Sequence, residues 1–181
     1  MHKKTVSVLL LSTVLAMLMV SAITIALLSR GLPENASDPF RFAASDFTFA
    51  FGAGHALDNQ VRVEKFDNGY ALLSSGSTSI RAENHHILGY AIQASNWPRE
   101  TAFFWRRSDD IQNVRRMEIT MPGSRLVDLS LEPDWQGEIS EFGFLVADDP
   151  GETVEIGDIL LESESLKTKL QMTWQSWTTF E

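Results

Sequence analysis

Two tryptophans sit where side-chain chemistry could hold a sugar. Trp97 lies in Asn96-Trp97-Pro98-Arg99 and Trp135 in Asp134-Trp135-Gln136. In both, a flat aromatic face is next to planar hydrogen-bonding groups, the pairing that grips the apolar side and the hydroxyls of a sugar ring. Arg106, followed by Arg107, could reach an acidic glycan or pair with carboxylates elsewhere in the chain. The candidate ligand contacts are therefore Trp97, Arg99, Arg106, Trp135 and Gln136. The competing reading is that each tryptophan closes one end of a hydrophobic core, and Trp105, inside an apolar run, belongs to that core.

Other chemistry is sparse. His85 and His86 are adjacent, so on a strand they point to opposite faces and cannot share a metal. Asp148, Asp149, Glu152 and Asp158 could offer oxygens to a calcium ion, but they lack the spacing of a calcium loop. The chain has no cysteine, which excludes disulfides and thiolate chemistry. Nucleophile elbow, zinc helix and phosphate loop are all missing. A glycosidase needs two carboxylates across a cleft, and the 24 acids supply no recognisable pair. The expectation is a protein without catalytic residues, metal or cofactor.

These residues must be positioned beside a membrane. Thr5 to Ser29 is uncharged, between Lys3/Lys4 and Arg30. Its core, Val6 to Leu28, would span roughly 35 Å as a helix, enough for a hydrocarbon layer of about 30 Å. The run is too long for a cleaved leader and has no good small-residue cleavage site, so it reads as a signal anchor. Lys3 and Lys4 place the N-terminus in the cytoplasm. The organisation expected is a cytoplasmic tip and anchor over 1–30, a Pro-, Asn- and Ser-containing linker over 31–45, a β-domain over 46–164 and an amphipathic helix over 165–181.

Three of the chain's 15 Lys and Arg fall in the leader, leaving 12 against 24 Asp and Glu. Such an acidic body is unsuited to nucleic acid. Basic residues prevail from Trp97 to Arg125, whereas twelve carboxylates and no Lys or Arg lie from Asp128 to Glu164. Neighbouring strands from the two segments could pair across; solvated edges are the other reading.

Period-2 alternation dominates the body. Phe47, Phe49 and Phe51 alternate with Thr48 and Ala50. Val61 to Phe66, the turn Asp67-Asn68-Gly69 and Tyr70 to Leu73 form a hairpin signal. Leu88, Tyr90 and Ile92 share one face, as do Phe103 and Trp105, then Met117, Ile119 and Met121, then Val127, Leu129 and Leu131, then Phe142, Phe144 and Val146. Val154, Ile156 and Ile159 to Leu161 close the series before a turn to Leu166, Leu170, Trp174 and Trp177, which recur at helical spacing. The fold class expected is all-β, an antiparallel sandwich or jelly roll with a short C-terminal amphipathic helix.

From Arg125 to Glu162 a further pattern emerges. Leu126-Val127-Asp128-Leu129-Ser130-Leu131 leads to Pro133-Asp134-Trp135-Gln136-Gly137, then Phe142-Gly143-Phe144-Leu145, then Val154-Glu155-Ile156-Gly157-Asp158-Ile159. This resembles galactose-binding-like sandwiches and jelly-roll carbohydrate-binding modules of envelope and secreted proteins. The resemblance implies a non-catalytic sandwich that holds a glycan or another protein surface, without carrying a site over residue by residue. The expected partners are thus the membrane, a glycan or polysaccharide, or a membrane protein, with no nucleic acid. Exposed Trp97 and Trp135 along a groove would point to sugar; buried tryptophans with an exposed Leu166/Leu170/Trp174/Trp177 stripe would point to a protein partner.

Overall fold

The computed structural model describes residues 2–28, 32, 37–120, 122–149 and 151–178, with side chains within the first helix described for 13–26. The chain forms two compact units, Asn35–Glu164 and the pair of segments Met1–Glu34 and Ser165–Glu181.

The larger unit is a two-sheet antiparallel β-sandwich. Its strands are β1 (Phe40–Phe42), β2 (Thr48–Phe51), β3 (Ala53–Leu57), β4 (Gln60–Lys65), β5 (Tyr70–Ser74), β6 (Ile80–Arg81), β7 (Ile87–Ala94), β8 (Glu100–Arg107), β9 (Asp110–Glu118), β10 (Gly123–Asp128), β11 (Glu138–Ala147), β12 (Val154–Gly157) and β13 (Ile159–Glu162). The first sheet runs β1-β13-β7-β12-β4-β3 with β10 on the other edge of β7. The second runs β2-β5-β11-β8-β9, with β6 also on β11. Inward residues of both sheets fill the core: Val63, Leu88, Ile92, Ile156 and Leu161 from one, Leu73, Phe103, Trp105, Phe142 and Phe144 from the other. Phe103 packs edge-on against Phe144, with ring centroids 5.7 Å apart, and tilted against Phe142 at 6.1 Å.

Three details differ from the pattern in the sequence. Asp67-Asn68-Gly69 does reverse the chain, with φ of 55° at Asn68 and 83° at Gly69. Yet β4 and β5 do not form a hairpin, because β4 already has β3 on one edge and β12 on the other. After the single Asp67–Tyr70 bridge, β5 joins the second sheet. The strand expected to continue to Leu131 stops at Asp128, whose carboxylate accepts a hydrogen bond from the Ser130 amide at 2.9 Å and caps a 3-10 turn over Leu129–Leu131. That turn buries Leu129 and leaves Leu131 exposed. Sheet structure also begins inside the stretch read as linker, since Phe40 and Phe42 pack on Phe142 while Arg41 points outward to Asp158.

Asp158 separates β12 from β13 and ties β1 to them. Its carboxylate accepts from the Ala44 amide at 2.9 Å and from Arg41 Nε and Nη2 at 3.1 and 2.5 Å. Burial pushes its pKa up, but the Ala44 amide and Arg41 outweigh this and hold it below the ordinary aspartate value. A lowered native pKa adds stability that is complete above the unfolded value and lost as pH falls through the native one. Asp158→Asn is expected to cost about 1 kcal/mol at neutral pH. Urea titrations at several pH values should show the gap between variant and wild type closing below about pH 4.

In the smaller unit, α1 runs His2–Leu28 and α2 runs Leu166–Thr178. The side chains of Lys3, Lys4, Val6 and Leu28 lie outside the described residues, as do Pro33 to Ala36 of the linker, Met121 and Pro150. Among the described residues no helix is long and apolar enough to cross a membrane. Ser165 starts α2 reciprocally with Thr168: Ser165 Oγ accepts from the Thr168 amide at 3.1 Å and Thr168 Oγ1 from the Ser165 amide at 2.8 Å.

Candidate functional site

Alternation along β8 divides its side chains between the two sides of the second sheet. Phe103 and Trp105 join the core cluster, whereas Ala102 and Phe104, although buried, do not. Glu100, Ala102, Phe104 and Arg106 therefore form a row on the outer face. Phe104 lies flat there because its neighbour on β11 is Gly143; a Cβ at that position would stand 2.8 Å from Phe104 Cε1.

Each end of this row opens into a hollow. One, of about 410 Å³, is lined by Arg106, Ile111, Gln112, Ser140, Glu141, Gly76 and Ser77. Arg106 Nε is 3.2 Å from Glu141 Oε2, and its Nη1 donates to the Ile111 carbonyl at 3.2 Å. Ser74 Oγ fixes the other carboxylate oxygen of Glu141 at 2.6 Å. The second hollow, of about 460 Å³, is lined by Arg99, Glu100, Ala102, Arg116 and Glu118, with Arg116 Nη1 2.6 Å from Glu100. Arg106 and Arg116 thus each face a carboxylate, so the surface suits neutral hydroxyl-rich ligands better than anions.

The sequence candidates are distributed unequally around this face. Arg99 and Arg106 line its two hollows, about 23 Å apart along the strand. Arg99 also donates to the Asp148 carbonyl at 3.4 Å and lies 3.6 Å from Asp149. Trp97 is half-buried and packs against the core. Trp135 is only 6% exposed; its indole N–H donates to the His85 carbonyl at 3.1 Å, and its ring meets Trp105 edge-on at 5.5 Å. Gln136 beside it is exposed. The two tryptophans do not flank one groove, being at the β7–β8 connection and the β10–β11 connection. Arg107 is held by Asp109 and Arg115 by Asp110.

Of the four carboxylates considered for calcium, buried Asp148 accepts from the Asp149 amide at 2.8 Å through one oxygen while its other oxygen has no hydrogen-bond partner, and the remaining three are engaged elsewhere. Asp149 meets Arg99, Glu152 accepts from Ser95 at 3.2 Å, and Asp158 binds Arg41. Among the described residues no group of three or more metal-ligating side chains converges. The cross-strand pairing between basic and acidic segments does occur, at Arg106 and Glu141.

Reading loops for aromatics missed Gln112, Glu141, Arg116 and Glu118. Their signal was the outward parity of β8 and its neighbours, where small Ala102 lines a hollow. A further polar hollow, of about 330 Å³, lies on the outer face of the first sheet, with Asn59, Gln60, Gln93 and Ser124 beside Glu155 and Asp158. Small Ala91 and Gly157 are among its lining residues.

No family model matches this chain, and no curated protein does. Solved structures do. One is a low-affinity xylan-binding module, CBM86, from the xylanolytic gut symbiont Roseburia intestinalis, at 16% identity and TM-score 0.51, covering 71% of this chain and 97% of the module. Another is a variant of a family 29 carbohydrate-binding module, at 13% identity and TM-score 0.50, covering 74% of this chain and 96% of the module. At such low identity the likeness is one of fold: this chain has the two-sheet β-sandwich of those carbohydrate-binding modules.

Proposed function

We propose that the chain is a membrane-anchored, non-catalytic β-sandwich protein of the cell envelope that binds a glycan or an exported polysaccharide. The anchor is the segment around Val6 to Leu28, with the N-terminus cytoplasmic and the galactose-binding-like sandwich periplasmic. Tethering raises the local concentration of the sandwich for a polymer made or exported at that membrane. The observation that carries the reading is the outer row of β8, where two hollows offer planar amide, guanidinium and carboxylate groups along the length of a strand. A linear chain of sugars suits such a row better than a compact ligand does. The xylan-binding module of the same fold supports this choice of ligand class.

The test is calorimetric titration of the whole chain, in detergent, against a panel of neutral and acidic polysaccharides that includes xylan. Saturable heat with a neutral polymer is expected, weakened about tenfold by Arg106→Ala, or about 1.4 kcal/mol. Trp97→Ala measures what the neighbouring loop adds. A well-folded protein that responds to none of them would sink the glycan reading.

One observation favours a second reading, a structural subunit that assembles with other membrane proteins through its sandwich and C-terminal helix. Trp135 is buried while Leu170, Trp174 and Trp177 are exposed. Purification from membranes with a stoichiometric protein partner, retained in Arg106→Ala, would favour it.

A further inference from the structure

Helix α2 is turned inside out relative to an ordinary surface helix. At about 100° per residue, Leu166, Leu170, Trp174 and Trp177 fall within an arc of roughly 80°. Of these, Leu170 is 42%, Trp174 66% and Trp177 71% exposed, whereas Thr168, on the other side, is 1% exposed. Met172 and Gln175, which share the side of Thr168, are also less exposed than the tryptophans. A helix in a sandwich protein gains stability by burying its apolar face, so this face is turned toward something other than water.

We propose that the apolar face of α2 lies in the headgroup region of the membrane, as an in-plane second contact; this rests on the anchored reading above. Charge and continuity identify the occupant as lipid. The helix carries Lys167 and Lys169 and no carboxylate, directly after a stretch from Asp128 to Glu164 that has twelve carboxylates and no basic residue. Lys167 and Lys169 fall on opposite flanks of the apolar arc, where their stems can lie along lipid while the ammonium groups meet anionic headgroups. Tryptophan prefers this depth, because its ring is amphipathic and its N–H needs a polar partner. Helix α2 is also in contact with α1, in the same compact unit. The described part of α1 exposes Val14, Leu15, Leu18 and Ile23, so the unpartnered apolar surface of the two helices is shared.

The test reconstitutes the whole chain in vesicles of phosphatidylethanolamine and phosphatidylglycerol, with bromine placed on the acyl chains either near the headgroup or near the tail end. Two of the chain's five tryptophans are in α2, and Trp105 and Trp135 are buried in the sandwich. Shallow bromine is expected to quench emission more than deep bromine, and Trp174→Phe/Trp177→Phe to abolish most of that quenching. Lys167→Gln/Lys169→Gln is expected to weaken it in vesicles with phosphatidylglycerol and not in purely zwitterionic ones. Alkaline extraction of the same vesicles reports the anchor separately. Protein that resists extraction but is not quenched overturns the α2 inference and leaves the anchor, with a protein surface as the cover for the stripe. Extracted and unquenched protein overturns both. Quenching of extractable protein supports α2 and overturns the anchor. Stronger deep quenching overturns the in-plane placement.

Discussion

Gly143→Val prevents the sandwich from folding at growth temperature. Gly143 is fully buried at the centre of β11, paired to Ser74 on β5 and Phe104 on β8. A Cβ there would overlap the Leu73 carbonyl and stand 2.8 Å from Phe104 Cε1, and a valine adds two methyls to that clash. The carbonyl is in the sheet ladder and cannot withdraw without breaking its bonds. The expected cost is more than about 3 kcal/mol, a large share of a domain's total stability. Gly76→Ala is the control. Nothing lies within 4 Å of its Cβ, and only its φ of 65° opposes the change, so about 1 kcal/mol is expected. Circular dichroism and the yield of monodisperse protein separate the two; a folded Gly143→Val protein would contradict the packing of Phe104 over β11.

Trp105→Ala destabilises the sandwich by about 3–5 kcal/mol. The side chain is 1% exposed and meets Phe103 at 6.1 Å and Trp135 at 5.5 Å. Its N–H also donates to the Asp134 carbonyl at 3.2 Å, which the truncation leaves with one partner fewer. Urea denaturation should show a lowered midpoint with an unchanged slope, the mark of lost stability without a change in the surface exposed on unfolding. Trp105 and Arg106 are consecutive and face opposite ways, so the same variant slackens the strand that carries the outer row. Polysaccharide binding by the folded fraction is expected to weaken with it.

The strands were readable because their evidence is local. Leu88/Tyr90/Ile92, Phe103/Trp105 and Phe142/Phe144/Val146 alternate as half-buried strands must, and each set is buried as that parity requires. Helix α2 was readable for the same reason, at a period of 3.6. What escaped local reading was partnership. Whether Tyr70 to Leu73 pairs with Val61 to Lys65 depends on whether an edge of β4 is free, and β3 and β12 occupy both. Whether Leu129 extends a strand depends on the capping reach of Asp128 as well as on apolar alternation.

The candidate site illustrates the same division. Trp135 sits among Asp, Gln and Gly in the sequence, a loop composition, yet its ring is enclosed by Phe103 and Trp105 from a strand some thirty positions earlier. Conversely, Ala102 looks like a minor core position and instead lines a hollow on the outer face, and Gly143 makes room there for the ring of Phe104. By itself the sequence determined the all-β class, the inward parity of most strands, the acidic surface and the terminal helix, because periodicity and charge are properties of neighbouring residues. Tertiary structure alone decided which strands share a sheet, which tryptophans are covered and which way α2 turns its apolar face, because each depends on surfaces brought together from distant parts of the chain.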